Sequence, residues 1–324
     1  MELTSKWGDF VKGVDALINE VIDETKDVGP SFESFGVHKK ISTDQLTYRT
    51  YGVVGLGYIE NFDEGDAIKE DETYPAYETE YVMQDKGKIV SISQKLAATS
   101  PEELTQKLDK VRQLKIALGR TIDKWAWQPL VDAFSTSDSS SEFPVSRLKD
   151  GVAMISASHP SKVPGVSNRS NLVAGNPVLS DTSLFNAELK IIEQLNGRGL
   201  PINYEGGFLL VVPPALKKTA TELLDSPQKV DTTDNNINYY KGADIDLAVV
   251  NYLSAANGGS DTAWFLIAKD PMGQESMRVV SLIEPKIEKD IDFYTKAIKV
   301  SIDCSMVIGY SNFEFISGSD GTGS

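Results

Sequence analysis

Apolar positions along this chain follow two periods, and the switches between them mark its elements. Trp7, Phe10, Val11, Val14, Leu17, Ile18, Val21 and Ile22 recur at helical spacing, which predicts an amphipathic helix over 4–26 ended by Gly29-Pro30. Ser100-Pro101-Glu102-Glu103 then reads as a helix start, with serine as N-cap, proline at the first position and glutamate closing a capping box. Leu104, Leu108, Val111, Leu114, Leu118, Ile122 and Trp125 carry that helix on to about Trp127. At 1.5 Å per residue it is roughly 40 Å long. A third helix is expected over 183–196, turning Leu184, Ala187, Ile191 and Leu195 inward and meeting Gly197 just past its end.

Other apolar runs are too short for helices. Phe208–Val212 is rich in β-branched residues and bounded by Gly207 and Pro213, so it reads as a buried strand. Pro214 fits the first turn of a following helix in which Ala215, Leu216, Thr219, Ala220, Leu223 and Leu224 share a face. The Pro-Pro corner has no glycine-rich loop, serine elbow or Walker lysine, so it predicts rigidity and not a phosphate or nucleophile site. Beyond residue 230, DLAVVNYL, TAWFLIAKD, MRVVSLIEPKI and AIKVSIDCSMVIGY predict strands, and the closing SGSDGTGS predicts a flexible tail.

Two stretches, 46–59 and 78–95, predict the sides of a long hairpin, preceded by an arm to about residue 45 outside the core. The tract from Glu60 to Glu80 holds nine carboxylates against one lysine, Lys69, with Phe62, Tyr74 and Tyr77 interleaved, so it cannot form a core of its own. Its spacing does not match a calcium loop, and a charge run is ordinarily a solvated face. Residues 136–143 and 157–183 are rich in Ser, Asn, Gly and Pro and read as loops.

Composition narrows the function. A formal net charge of −15 over 324 residues argues against a surface that grips phosphate backbones. Cys304, the one cysteine, excludes an intrachain disulfide and any multi-cysteine zinc site, and reads as a packed small hydrophobe. No apolar run approaches the length of a membrane span, so no membrane partner is expected. GLGYIE at 55–60 has two glycines of a dinucleotide fingerprint but lacks the third and the following helix. His38, beside Lys39 and Lys40, reads as a solvated arm residue, and His159, among serines, reads as a structural loop histidine because no G-x-S-x-G elbow accompanies it. No catalytic residue, cofactor or metal ligand is assigned.

The order of elements and two local words resemble the major capsid proteins of tailed phages, the Hong Kong 97 fold, nearest the Mu-like major head subunits. The first word spans 155–224, with a His-x-Asn-like loop, a helix, Gly-x-Pro-Ile and a strand ending in Val-Pro-Pro-Ala-Leu; the second is TAWFLIAKD at 262–270. The resemblance implies an α+β fold with an N-terminal arm (1–45) and an extended hairpin loop with flanking strands (46–95). It further implies a peripheral domain with a long spine helix (96–155 and 280–316), a mainly axial domain (156–279) and a flexible tail (317–324). It implies a non-enzymatic shell protein that assembles with itself into pentamers and hexamers around double-stranded DNA in the host bacterial cytoplasm, with scaffold, portal and decoration proteins as partners. No long coiled-coil leader precedes the arm, so a fused scaffolding segment is not expected. The hairpin would lie over an adjacent subunit, making Phe62, Asp63, Glu64, Asp66, Lys69, Glu70, Tyr74 and Tyr77 the candidate contacts; Lys69, Lys86 or Lys88 could supply an amine for crosslinking. The alternatives are a nanocompartment shell of the same fold and a serine hydrolase using His159.

Overall fold

A computed structural model describes residues 16–19, 31–59, 61–62, 67, 70–93, 101–227, 237–269, 276–292, 294–295 and 297–323. Two sheets dominate. The first is ordered β1-β9-β10-β4, built from β1 (His38–Ser42), β4 (Gln84–Ser93), β9 (Met277–Ile291) and β10 (Ala297–Tyr310), with the short β5 (Val145–Ser146) alongside β10. The second is ordered β11-β8-β6-β7, from β6 (Phe208–Val212), β7 (Ile245–Val249), β8 (Trp264–Ala268) and β11 (Ile316–Ser319). A separate ladder pairs β2 (Thr47–Val53) with β3 (Pro75–Val82).

The apolar run of β6 follows from its place in the second sheet. It pairs parallel with β7 and antiparallel with β8, so both its edges and both its faces are covered. Leu209 and Val211 face a core shared with the first sheet and the long helix, while Phe208, Leu210 and Val212 face the two shorter helices. Past Pro213 the chain makes a short 3₁₀ turn, Pro214–Leu216, and then enters a helix, Lys217–Asp225, that buries Ala220, Leu223 and Leu224.

The long helix, α1 (Pro101–Val131), runs one turn past the expected end. Pro129 lies in its final turn, where it forfeits one backbone hydrogen bond, while Ala126, Trp127 and Leu130 are wholly buried; burial outweighs the proline. The expected cap Ser100 lies outside the described residues. The next helix, α2 (Asp181–Ile192), starts at the Ser180 cap and stops a turn earlier than expected. Leu195 is 37% exposed and not inward, because residues 194–202 form a tight loop in which the Asn196 side chain accepts from the Arg198 and Leu200 amides. Gly197 has a different use from a helix end: a Cβ there would come within 3.0 Å of the Val54 methyls.

Three expectations fail at the chain ends and around the hairpin. The closing residues are not a flexible tail: Ile316–Ser319 pairs with β8, Ser317 and Ser319 are fully buried, and their hydroxyls donate to the Ala187 and Pro177 carbonyls. The second hairpin side, 78–95, divides near Met83, β3 staying with β2 while β4 joins β10. The segment before residue 45 is not all arm. Phe32 and Val37 lie in the shared core, β1 pairs parallel with β9, and Ile18, in the described turn of the expected N-terminal helix, is buried among Val111, Leu114 and Ile298.

His38 is correspondingly not solvated. Its Nε2–H donates to the Ala126 carbonyl at 3.0 Å, and its ring sits edge-on to Phe32 and Trp127. Burial lowers its pKa to about 4 from an ordinary 6.5. Below pH 6.5 the unfolded chain therefore takes up a proton that the folded chain refuses until about pH 4, so stability falls across that window and is unaffected above it. The loss amounts to roughly 2–3 kcal/mol by pH 4. Urea unfolding from pH 7.5 to 4.5 should show wild-type protein losing stability faster than His38→Phe; a constant difference between them would contradict this.

Candidate functional site

The residue with the most chemistry on offer, His159, is 1% exposed and fully committed. Asn171 orients it. The Asn171 Oδ1 accepts from the Ser156 amide and Nδ2 donates to the Met154 and Phe313 carbonyls, which fixes the amide so that His159 Nε2 donates to Oδ1 at 3.1 Å. Nδ1 lies 2.7 Å from the Asp150 carboxylate, and a proton is held between them. The imidazole stacks flat on Phe313 with ring centres 3.6 Å apart, and Arg169 approaches the same phenyl ring while pairing with Glu314. Neither nitrogen is left for activating a nucleophile, so the cluster is a fastening between the 150–171 segment and the crossover from β10 to β11.

The hairpin is held in a different way. Along the β2–β3 ladder and just beyond it, cations of the body meet carboxylates and carbonyls of the hairpin. Lys149 bonds Glu78 at 2.7 Å and Glu80 at 2.9 Å, and Glu80 also takes Arg49 from the facing strand; these partners hold its carboxyl below the usual range. Lys162 bonds the Ala76 carbonyl and sits 4.3 Å from the centre of the Tyr77 ring. Arg278 donates to the Thr50 hydroxyl at 3.0 Å.

Arg198 makes the outermost contacts of this clamp. Its Nε donates to the Gly55 carbonyl at 2.9 Å, Nη2 reaches the Glu72 carbonyl and pairs with Asp71 at 2.9 Å, and the guanidinium lies 5.0 Å from the Tyr74 ring centre. Asp71 in turn accepts from the Gly57 amide at 2.9 Å; that bond first, and Arg198 second, hold its carboxyl below the usual range. One arginine thus joins both hairpin branches. Its five fixed donors suit that task better than a lysine's single ammonium.

The expected contact residues separate into groups. Tyr74 and Tyr77 pack on cations of their own chain, which the sequence could not show because Arg198 and Lys162 lie more than 80 residues away. Phe62 is 62% exposed and Glu70 is exposed. Asp63, Glu64, Asp66 and Lys69 lie outside the described residues. The tract is also not wholly outside the core, since Thr79 is fully buried and donates to the Tyr310 carbonyl. Sequence reasoning missed the neighbouring apolar residues: Leu56 is 71% exposed, Tyr58 75% and Ile59 100%. Their signal was the apolar run beside the acidic tract, read as a continuing strand although β2 ends at Val53.

A protein-family model described as "Phage capsid protein" matches residues 76–316. No curated relative matches the chain. Among solved structures, the fold is similar to the capsid of Ralstonia phage GP4, with a TM-score of 0.55, 12% identity, and 90% of this chain and 91% of that one covered. It is similar to the capsid of the cyanophage P-SCSP1u, with a TM-score of 0.52, 15% identity and coverages of 90% and 87%. It also resembles the head structure of Helicobacter pylori bacteriophage KHP40, with a TM-score of 0.52, 10% identity and coverages of 90% and 92%.

Two substitutions separate fastening from clamp. His159→Ala leaves the buried Asp150 carboxylate with only the Val152 amide as a donor and should cost about 3–5 kcal/mol in chemical denaturation; a loss under about 1 kcal/mol would show that Asp150 needs no second partner. Arg198→Ala should leave global stability within about 1 kcal/mol, since its contacts are near the surface. It should nevertheless speed amide exchange at Gly57 and across 54–59, and unchanged exchange there would remove Arg198 from the clamp.

Proposed function

Since the chain belongs to the phage capsid protein family, we propose a reading of how its parts serve that role. The protein is a structural major capsid protein of a bacteriophage head, with the Hong Kong 97-type fold, and its place is the virion capsid. A nanocompartment role is not favoured by the family match. In our reading, copies assemble as pentamers and hexamers into an icosahedral shell around double-stranded DNA, in the host cytoplasm, with scaffold, portal and decoration proteins as further partners and without enzymatic activity. The first sheet with α1 forms the peripheral part, and the second sheet with its Pro-Pro corner forms the axial wedge. The finer likeness to Mu-like head subunits rests on the words at 155–224 and 262–270.

The observation that carries the reading is an exposed apolar tip on a hairpin that its own subunit holds in place. Leu56, Tyr58, Ile59 and Phe62 face solvent beyond the Arg198 clamp. Covering such side chains contributes about 1.5–3 kcal/mol each, while an exposed ion pair contributes about 0–1 kcal/mol, so the tip supplies adhesion and the carboxylates orientation. The net charge of −15 suits a wall that encloses DNA without adhering to it.

The test replaces residues 58–70 by a short Gly-Ser turn. That change keeps Asp71, Tyr74 and all of β3, whereas removing 60–80 would delete the strand that buries Thr79. The variant should retain its circular dichroism spectrum and melting transition but form no particles when expressed with its phage's assembly factors. Wild-type protein should sediment as closed shells, tubes or rings, weakened only in part by salt because screening spares apolar burial. Normal shells from the variant, or a wild-type protein that remains a compact monomer in every condition, would contradict the proposal.

A further inference from the structure

Glu188 points a carboxylate into apolar surroundings. It lies on the inward face of α2 with Leu184, Ala187 and Ile191, is 9% exposed, and its buried Oε2 has no hydrogen-bond partner among the described residues. The residues one helical turn away on either side, Leu184, Phe185, Ile191 and Ile192, are all apolar, so no neighbour along the helix pairs with it. β8 and β11, which pack on α2, carry no titratable side chain. The described titratable groups around it are Asp181, Lys190 and Glu193 of α2 and its end, and Tyr239 and Tyr240 from the turn at 237–243. Desolvation, with no described cation opposing it, raises the Glu188 pKa above its ordinary 4.5. Tyr240 feels the same carboxylate: burial first, and Glu188 second, push its phenol up.

The 237–243 turn bridges two helices. On one side Asn238 Nδ2 donates to the Leu223 and Ser226 carbonyls at 2.6 and 3.0 Å, which ties the turn to the end of the Lys217–Asp225 helix, and Asn238 Oδ1 accepts from the Tyr240 amide at 3.0 Å. On the other side Tyr239 meets Phe185 of α2 edge-on, 6.3 Å between ring centres, and Tyr240, 2% exposed, packs in the apolar cluster that both helices share. The α2 side has one polar bond, from the Tyr240 hydroxyl to the Asp181 carbonyl at 3.5 Å, and it is weak. The turn is therefore pinned to one helix by hydrogen bonds and to the other by packing beside an unpaired carboxylate. Burying that carboxylate in its ionised form is costly, and lifting the turn admits water to it.

We propose that Glu188 and the 237–243 turn form a proton-governed latch: with the carboxyl neutral the turn stays closed on α2, and ionisation loosens it, baring apolar surface between the two helices. A carboxyl with a raised pKa in the closed state and an ordinary one in the open state favours closure fully below pH 4.5. That preference is lost as pH rises through the closed-state value. The sign is opposite to that of His38, whose burial lowers stability as pH falls, so the two effects separate. The latch involves no hairpin residue and stands apart from the reading of shell assembly.

The test is amide hydrogen exchange on the full-length, unassembled subunit from pH 4.5 to 8, corrected for the intrinsic pH dependence of exchange. The Tyr240 and Ala243 amides, bonded to Asn238 Oδ1 and the Tyr240 carbonyl, report opening of the turn. Their protection should fall by at least about threefold across that range in wild type and stay level in Glu188→Gln, which keeps the shape and removes the charge. The Glu188 carboxyl carbon, identified in carbon-13 spectra as the resonance missing from Glu188→Gln, should titrate above pH 4.5. Protection that is level in wild type, a fall that survives in Glu188→Gln, or a carboxyl titrating at or below 4.5 would each overturn the latch.

Discussion

The relative placement of the two sheets depends on the short crossover from β10 to β11, and that crossover is fastened by one buried cluster. Phe313 lies between the two sheets in sequence, with the His159 ring flat against it and its carbonyl taken by Asn171. The Asp150 carboxylate accepts a hydrogen bond at the far side of the imidazole. In a wet or loosely packed site such a set would contribute little, but here the partners are buried, and removing one leaves another stranded. The cluster therefore acts less as a source of net stability than as a constraint: alternative placements of the 150–171 segment would leave a carboxylate or an amide unpaired.

The hairpin is governed by a softer constraint. Its contacts with the body are mostly near-surface cation pairs and carbonyl bonds, each weak alone. Collectively they set the direction in which the base leaves the body. If the hairpin meets a neighbour as proposed, a subunit that presents it already aimed loses less conformational entropy than one that must order it at that moment. In the proposed reading, the surface that meets a neighbour is a clamped base carrying an exposed apolar end.

Much of this was legible from local pattern. The strand at 208–212, the proline corner and the long helix could be read because spacing, caps and bounding prolines report on nearby residues only. What was not legible required distant partners. The histidine beside two lysines looked solvated until Ala126 and Trp127 closed over it, and the Ser/Gly-rich terminus looked mobile until β8 supplied a ladder for it. Tyr74 and Tyr77 stand out in the sequence as aromatic residues in an acidic tract, but the cations they pack on, Arg198 and Lys162, come from elsewhere in the same chain.

A near-atomic electron cryo-microscopy map of the assembled particle tests the central claim most directly. The account predicts a closed shell in which each hairpin leaves its subunit along the direction set by Arg198 and buries Leu56, Tyr58, Ile59 and Phe62 against another copy. Density showing those side chains in solvent, or folded back on their own subunit, would contradict it.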